Sequence, residues 1–278
     1  MARLVCGKFS LALGRPLVMG IVNVTPDSFS DGGMFLARDK AIAHAQKLIA
    51  DGANLLDVGG ESTRPGAAAA GLQEELDRVM PVLEAMRDCG VPVSIDTQKP
   101  EVMAASIAGG ASMINDVNAL QAEGAIKAFR HSSVAVCLMH RQGTPATMQQ
   151  QPAYDDVVRE VSAFLSARAN VCEQAGIAQN RIVIDPGFGF GKTVEHNFTL
   201  LRELRSLTQL GYPLLAGYSR KSSLGAVTGR PVQQRLVASL AAAMIAAQNG
   251  ATILRVHDVA ETVDMLKVLA AAGQGGTD

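Results

Sequence analysis

The sequence predicts an α/β fold: a (β/α)8 TIM barrel with a short N-terminal β-hairpin. Three observations carry this. Eight short apolar runs recur along the 278 residues, and each ends on polar or charged groups: Asn23, Asp57, Asp96, Asn115, His140, Asp185, the Ser219–Lys221 segment and the Arg255/His257 pair. Stretches of helical character separate the runs, the alternation expected of parallel βαβ units. A closed eight-unit barrel commonly needs about 250 residues, so closure is expected over the alternative, an open doubly wound sheet.

Residues 3–13 alternate weakly around Gly7 and read as a hairpin, a small lid over one end of the barrel. Strand one is Val18–Val22, ending on Asn23. A helical stretch over 37–50 leads to strand two at 54–58, and another over 72–88 leads to strand three at 91–96. Pro92 is tolerable there because the ladder is only beginning. A short helix over 99–108 precedes strand four at 111–115, and strand five is 134–139. A long helical stretch over 155–175 leads to strand six at 181–185. Strands seven and eight are 213–217 and 252–256, with an Ala-rich helix over 232–248 between them and a last helix near 259–271. The tail 273–278 is expected to fray. The whole chain reads as one barrel domain, 1–278, with the hairpin inside 1–15.

Composition limits what such a domain does. The chain is 48% hydrophobic but only 4% aromatic, without Trp, so Ala, Leu, Ile and Val must fill the core. A net charge of −1 leaves no broad basic field for nucleic acid or an anionic membrane, though a few placed groups still suffice for a small anion. Cys6, Cys89, Cys137 and Cys172 lie far apart with no CxxC pair, which argues against a zinc site or disulfide framework and suits a reducing cytoplasm. Arg3, Lys8 and Arg15 interrupt the amino-terminal apolar runs, so no signal peptide is expected. The longest apolar stretch, Leu236–Ala247, contains Ser239 and is too short to span a bilayer.

In a barrel the carboxyl ends of all strands face one cavity. Asp57, Asp96, Asn115 and Asp185 then converge into an acceptor-rich pocket suited to a ligand with several N–H groups. The plainer reading is that each caps a following helix. Four together argue for the pocket, since crowded carboxylates resist burial unless paired. Lys221, Arg255 and His257 could hold a phosphate or diphosphate. Salt bridges to the acidic residues, or a solvated rim, are the other readings. Loop one, Asn23–Gly33, and loop two, Gly59–Gly66, are polar and flanked by glycines, as expected of segments that close over a substrate. Asp27, Ser62 and Thr63 also suit ordinary turns. The Gly187–Thr193 segment has a superficial likeness to a nucleotide loop, but it lacks the GxxxxGK[ST] spacing and opens on Asp185-Pro186. His44, His131 and His196 form no pair and read as packing or solvent contacts.

Seven blocks together bring a family into view. They are Met19–Gly33, Asp57–Gly66, Ser94–Pro100, Ile114–Asp116, Asp185–Lys192, Ser219–Ser222 and Arg255–His257, in order from about 19 to 258. The first two, MGIVNVTPDSFSDGG and DVGGESTRPG, are highly specific, because no general fold requirement would produce them. The chain closely resembles the bacterial dihydropteroate synthases, a family of pterin-binding (β/α)8 barrels. The resemblance implies condensation of 6-hydroxymethyl-7,8-dihydropterin diphosphate with 4-aminobenzoate, giving 7,8-dihydropteroate and diphosphate, a step of folate synthesis. It implies that Asp96, Asn115, Asp185 and Lys221 hold the pterin. It implies diphosphate contacts at Thr63, Arg64, Arg255 and His257, and a 4-aminobenzoate neighbourhood of Phe29, Thr63, Pro65, Phe190, Lys221 and Ser222. Asn23 resembles the family's Mg2+ contact, while Asp27, Asp57 and Arg220 take loop and supporting places.

The same resemblance implies competition by sulfonamides and a homodimer formed by late helices. The 232–248 helix agrees, since apolar residues spread around much of its surface and exceed what one barrel can cover. Packing under the terminal helix is the other reading. Arg141 departs from the family pattern, following His140 where many members carry Met, and Tyr218 lies at a position that often varies. Two rivals remain. A corrinoid-dependent methyltetrahydrofolate methyltransferase would share the pterin pocket but not need the Ser-Thr-Arg-Pro loop or the diphosphate cluster. A non-catalytic pterin binder would not need closing loops.

Overall fold

The structure is a computed structural model of the chain and describes residues 2–24, 33–62, 69–129, 131–143, 148 and 152–273. It opens with an antiparallel hairpin of β1 (Arg3–Cys6) and β2 (Phe9–Ala12), in which Cys6 faces Phe9. Gly7 makes the tight turn at φ +60°, a backbone region costly for residues with a Cβ.

Strands and helices then alternate: β3 (Leu17–Asn23), α1 (Gly33–Ala50), β4 (Leu55–Gly59), α2 (Leu72–Met86), β5 (Val93–Asp96), α3 (Pro100–Ala108), β6 (Met113–Asp116) and β7 (Ala135–Met139). They continue as α4 (Val157–Gln174), β8 (Ile182–Asp185), α5 (Val194–Arg202), α6 (Leu204–Leu207), β9 (Leu215–Ala216), α7 (Ser222–Thr228), α8 (Leu236–Gln248), β10 (Ile253–Val256) and α9 (Val259–Gly273). The strands from β3 to β10 form one parallel sheet in the order β8-β7-β6-β5-β4-β3-β10-β9. A bridge between Ile184 and Leu214, with the Ile184 N–H donating to the Pro213 carbonyl at 3.0 Å, joins the two ends. The expected barrel is therefore present, nearly closed.

Strand alternation sorts the core into two parts. Val18, Val22, Leu56, Val58, Ile95, Ile114, Val136, Leu138, Ile184 and Leu254 point outward and are buried under the helices. Leu17, Met19, Leu55, Met113, Cys137, Val183, Leu215 and Ile253 point inward and pack with Leu4 and Cys6 of the hairpin. The Gly7 N–H donates to the Ser133 carbonyl just before β7, and Cys6 Sγ donates to the Ser112 carbonyl just before β6. The hairpin thus plugs the amino-terminal end of the barrel and leaves the carboxyl-terminal end for polar groups.

Some elements differ from expectation. Between β6 and β7 the described chain carries only a 3-10 turn, Ile126–Phe129. Asp116 sets this up by accepting the N–H groups of Asn118 and Leu120 at 2.7 Å, while Ala119 and Leu120 adopt positive φ. After β8 the crossover is split into α5 and α6, and α7 is an added short helix before α8. Of the tail 273–278 expected to fray, Gly273 closes α9 and the rest lies outside the described residues, as do Thr25–Gly32 of loop one and Thr63–Gly66 of loop two. Among the described residues no helix is long and apolar enough to cross a membrane.

Candidate active site

Register determines which polar groups meet. Ile21 lies opposite Asp57, Asp57 opposite Ser94, and Asp96 opposite Asn115, so successive inward positions climb towards the mouth. Arg255 points inward from β10, one step nearer the mouth than Ile253, and reaches across the cavity. Its Nε donates to Asp57 Oδ2 at 2.6 Å and its Nη2 to Asp96 Oδ2 at 2.8 Å. Asn115 Nδ2 donates to the same Asp57 oxygen at 3.0 Å. The other oxygens, Asp57 Oδ1 and Asn115 Oδ1, are buried without a hydrogen-bond partner among the described residues. Two orphaned acceptors deep in one cavity are costly unless a ligand donates to them.

The charges are held under tension. Burial pushes Asp96 up to about 7 against the pull of Arg255, with repulsion from Asp57, Glu75 and Asp116 adding to the rise. Burial likewise raises Asp185 to about 6, while the Gly187 N–H at 2.7 Å and the charges of Lys221, Arg255 and Lys192 hold it down. Lys221 is lowered to about 8 by burial and by Arg255, with Asp185 and Asp96 opposing. Its ammonium sits 4.1 Å from the centre of the Phe190 ring. Arg255 is pushed upward overall, its carboxylate partners outweighing burial. Ion-paired groups whose protonation lies this close to neutrality are typical of binding or catalytic sites.

Of the alternatives left open for Arg255, ion pairing with the acidic ring is the one this structure contains. His257 is also different from a simple cation. Burial, Arg220 and Arg255 lower it to about 3, so it is neutral near pH 7, and its Nδ1 lies 3.0 Å from Ser219 Oγ. Arg220 bends away at φ +58° and pairs with Asp258, its Nε donating at 3.1 Å; this steadies the loop before α7. Ser222 begins α7 directly after Lys221. Asn23 ends β3 opposite Gly59, with its Oδ1 3.9 Å from where a side chain at Gly59 would begin. Asp27, Phe29, Thr63, Arg64 and Pro65 lie outside the described residues.

Sequence reasoning named Phe190 but missed several groups that support the site. Val117, Met139, Met148 and Phe190 form a small apolar cluster separate from the main core. Lys99 bridges Glu61, at the base of loop two, and the fully buried Glu75 on α2, each at 2.5 Å. Lys192 is buried behind the Gly187–Gly191 turn. Glu61, Lys99 and Lys192 lie inside the family blocks and Val117 just past one, but motif reading alone does not reveal a direction for the side chain. Among the described residues no group of three or more His, Cys, Asp or Glu is arranged to hold a metal by itself.

Comparison with known proteins agrees with this geometry. The family model for pterin binding enzymes matches residues 19–257. The chain is 51% identical to the dihydropteroate synthase of Haemophilus influenzae over 264 residues, 94% of this chain and 95% of that one. A solved Xanthomonas albilineans dihydropteroate synthase with 4-aminobenzoic acid superposes with a TM-score of 0.93 at 53% identity, covering 99% of both chains. A Yersinia pestis dihydropteroate synthase in a sulfonamide drug complex gives 0.93 at 48% identity, covering 98% of this chain and 100% of that one.

Proposed function

The chain belongs to the pterin-binding enzyme family as a dihydropteroate synthase, and from that premise we infer how its barrel mouth works. It condenses 6-hydroxymethyl-7,8-dihydropterin diphosphate with 4-aminobenzoate, forming 7,8-dihydropteroate and diphosphate. The observation that carries this is the buried ring of Asp57, Asp96 and Asn115 bound to Arg255, with Asp185 and Lys221 beside it, in a chain that matches the family along its length.

Asp96, Asn115 and Asp185 supply acceptors for the pterin N–H groups, and Lys221 supplies a donor. Asp57 is the strut that holds Arg255 and Asn115 in place. As the C–O bond to diphosphate breaks, positive charge grows on the electron-rich pterin. The carboxylates of Asp96 and Asp185 favour that charge by electrostatics already in place. Diphosphate is met by Thr63, Arg64, Arg255 and His257. Because Arg255 already balances two carboxylates, Arg64 carries more of the new negative charge. His257 enters as a neutral N–H donor. The arylamine sits among Phe29, Thr63, Pro65, Phe190, Lys221 and Ser222 and attacks the methylene carbon from the face opposite the leaving group. Its ammonium then loses a proton to water or a nearby carboxylate, so no residue has to be a strong base.

One neutral amide oxygen, Asn23 Oδ1, fits Mg2+ that arrives already bound to diphosphate, since this ion keeps water and phosphate oxygens and uses few protein ligands. When bound, Mg2+ supplies charge neutralisation on the leaving group. Sulfonamides compete at the arylamine site. A homodimer through α8 and a cytoplasmic location complete the proposal. Product formation from the two purified substrates tests it. A corrinoid-dependent methyltransferase or a non-catalytic binder would yield no dihydropteroate, and that result would reject the assignment.

A further inference from the structure

The lysine that gives Gly187–Thr193 its likeness to a nucleotide loop has another place in the fold. Lys192 is 2% exposed. Its Nζ lies 3.0 Å from the Gly187 carbonyl, 3.0 Å from the Phe190 carbonyl, 3.4 Å from the His140 carbonyl and 3.0 Å from His140 Nδ1. These partners belong to two loops, one after β7 and one after β8. Backbone packing locks the same loops together. A side chain at Gly187 would meet the His140 carbonyl oxygen at 1.9 Å, and one at Gly191 would meet the Gln142 carbonyl oxygen at 2.3 Å. Both glycines have positive φ, at +68° and +61°. Only glycine fits either position.

We propose that Lys192 is a positioning residue for pterin capture: its buried ammonium pins the 187–191 turn to the end of β7 and backs Asp185 with positive charge. This rests on reading Asp185 as a pterin acceptor. An ammonium has three hydrogens and no lone pair, so of the four contacts the longest, to the His140 carbonyl at 3.4 Å, can only share one, and Nζ can accept nothing from the imidazole. His140 Nδ1 must then be an unprotonated acceptor, with the ring hydrogen on Nε2. Among the described residues no carboxylate forms an ion pair with Lys192; burial lowers its ammonium to about 7, with the charge of Asp185 opposing and that of Lys221 adding to the fall. What the charge does serve is the turn. With Gly187 held, its N–H donates to Asp185 at 2.7 Å. With Gly189 held, its N–H donates to Asn197 Oδ1 at 2.7 Å, and Lys221 packs against it, with its Cδ 3.1 Å from where a side chain at Gly189 would begin. The Phe190 ring then lies beside the Lys221 ammonium. Charged and titratable groups around this unit are His140, Asp185 and Lys221, with Arg255 acting on Asp185 from β10.

Two measurements on the full chain decide it. The first is titration of wild-type and Lys192→Met protein with pterin diphosphate across pH, beside thermal melts. Loss of the ammonium should weaken binding about tenfold or more and move the acid limb of the affinity profile up by about one unit, because Asp185 loses a stabilising charge. A lower melting temperature with unchanged affinity and an unchanged acid limb would leave only a structural lysine and overturn the proposal. The second needs neither ligand nor variant: nitrogen NMR of 15N-histidine-labelled wild-type protein. Nδ1 of His140 as an unprotonated acceptor supports the ammonium. A hydrogen on that Nδ1 overturns it even if the variant does not fold. Failure of the wild-type protein to bind the pterin would reject the parent reading, which the NMR result by itself does not touch.

Discussion

Arg255 donates to Asp57 at 2.6 Å across 198 residues of sequence, and this bond is the keel of the polar ring. Both partners are inward residues of a closed barrel, and Asp57 is fully buried. Removing one leaves the other charge without compensation, which typically costs about 3–5 kcal/mol. Arg255→Met should therefore lower stability by several kcal/mol, and Arg255→Met combined with Asp57→Asn should lose less than the two single changes added together. Urea melts of the four proteins give the coupling. Strict additivity would show that the pair acts independently.

Asp185→Asn keeps size but removes charge and turns one acceptor oxygen into a donor. Pterin affinity should fall by about one to two decades, or roughly 1–3 kcal/mol. Calorimetric titration reads this directly. Unchanged affinity would remove Asp185 from the pterin pocket.

The raised carboxyl groups make binding depend on pH. Asp185 near 6 and Asp96 near 7 carry protons for part of the time in the ligand-free site. Pterin N–H donors favour the ionised forms, so both pKa values should fall on binding. A bound-state value below the free-state value means protons are released, and affinity must weaken as pH drops through 7 to below 6. Calorimetry at pH 6.5 in buffers of different ionisation enthalpy should show net release; net uptake would contradict the assignment of these acceptors.

Binding order and metal dependence follow from one another. The arylamine site includes loop two residues that need the diphosphate nearby, so pterin diphosphate should bind first. Chelator should abolish turnover and Mg2+ restore it. Affinity for 4-aminobenzoate should rise when Mg2+-diphosphate is present, with reciprocal coupling. Equal affinity in both conditions would sink the ordered scheme.

On α8, Val237 is 78% exposed and Met244 and Ile245 are 38% exposed, while Ser239, Ala242, Ala243 and Ala246 are buried. One face of the helix therefore covers the barrel and the other presents apolar side chains outward. A dimer should appear by light scattering at micromolar concentration, and Val237→Glu with Met244→Glu should yield monomer. A monomeric wild-type mass would reject the interface.

Strands were the clearest part of this chain to read from sequence, because Val, Ile and Leu runs buried on both faces stop abruptly at Asn23, Asp57, Asp96 and Asp185. Convergence of those endings follows from closure alone. The partner of Arg255 did not follow, since it depends on the stagger of β10 against β3 and on a reach across the cavity. The split of 194–207 into α5 and α6 at Glu203 has no counterpart in the sequence reading. Between β6 and β7 the expected helix gives way to a turn made by Asp116 and two left-handed residues, an outcome set by backbone hydrogen bonds that composition does not reveal. Lys192 was given no place by the sequence, where the nucleotide-loop likeness fails on spacing, and its burial makes it an internal group.

The hairpin at the amino end turns the barrel into a vessel with a single opening. Leu4 and Cys6 seal its floor, so no molecule passes through. Traffic is then last in, first out. Whatever enters beneath cannot leave while a second molecule stands over it, and a joined product must depart whole through the doorway its two parts entered. An occupant of the doorway alone would hold the lower guest captive and slow its escape.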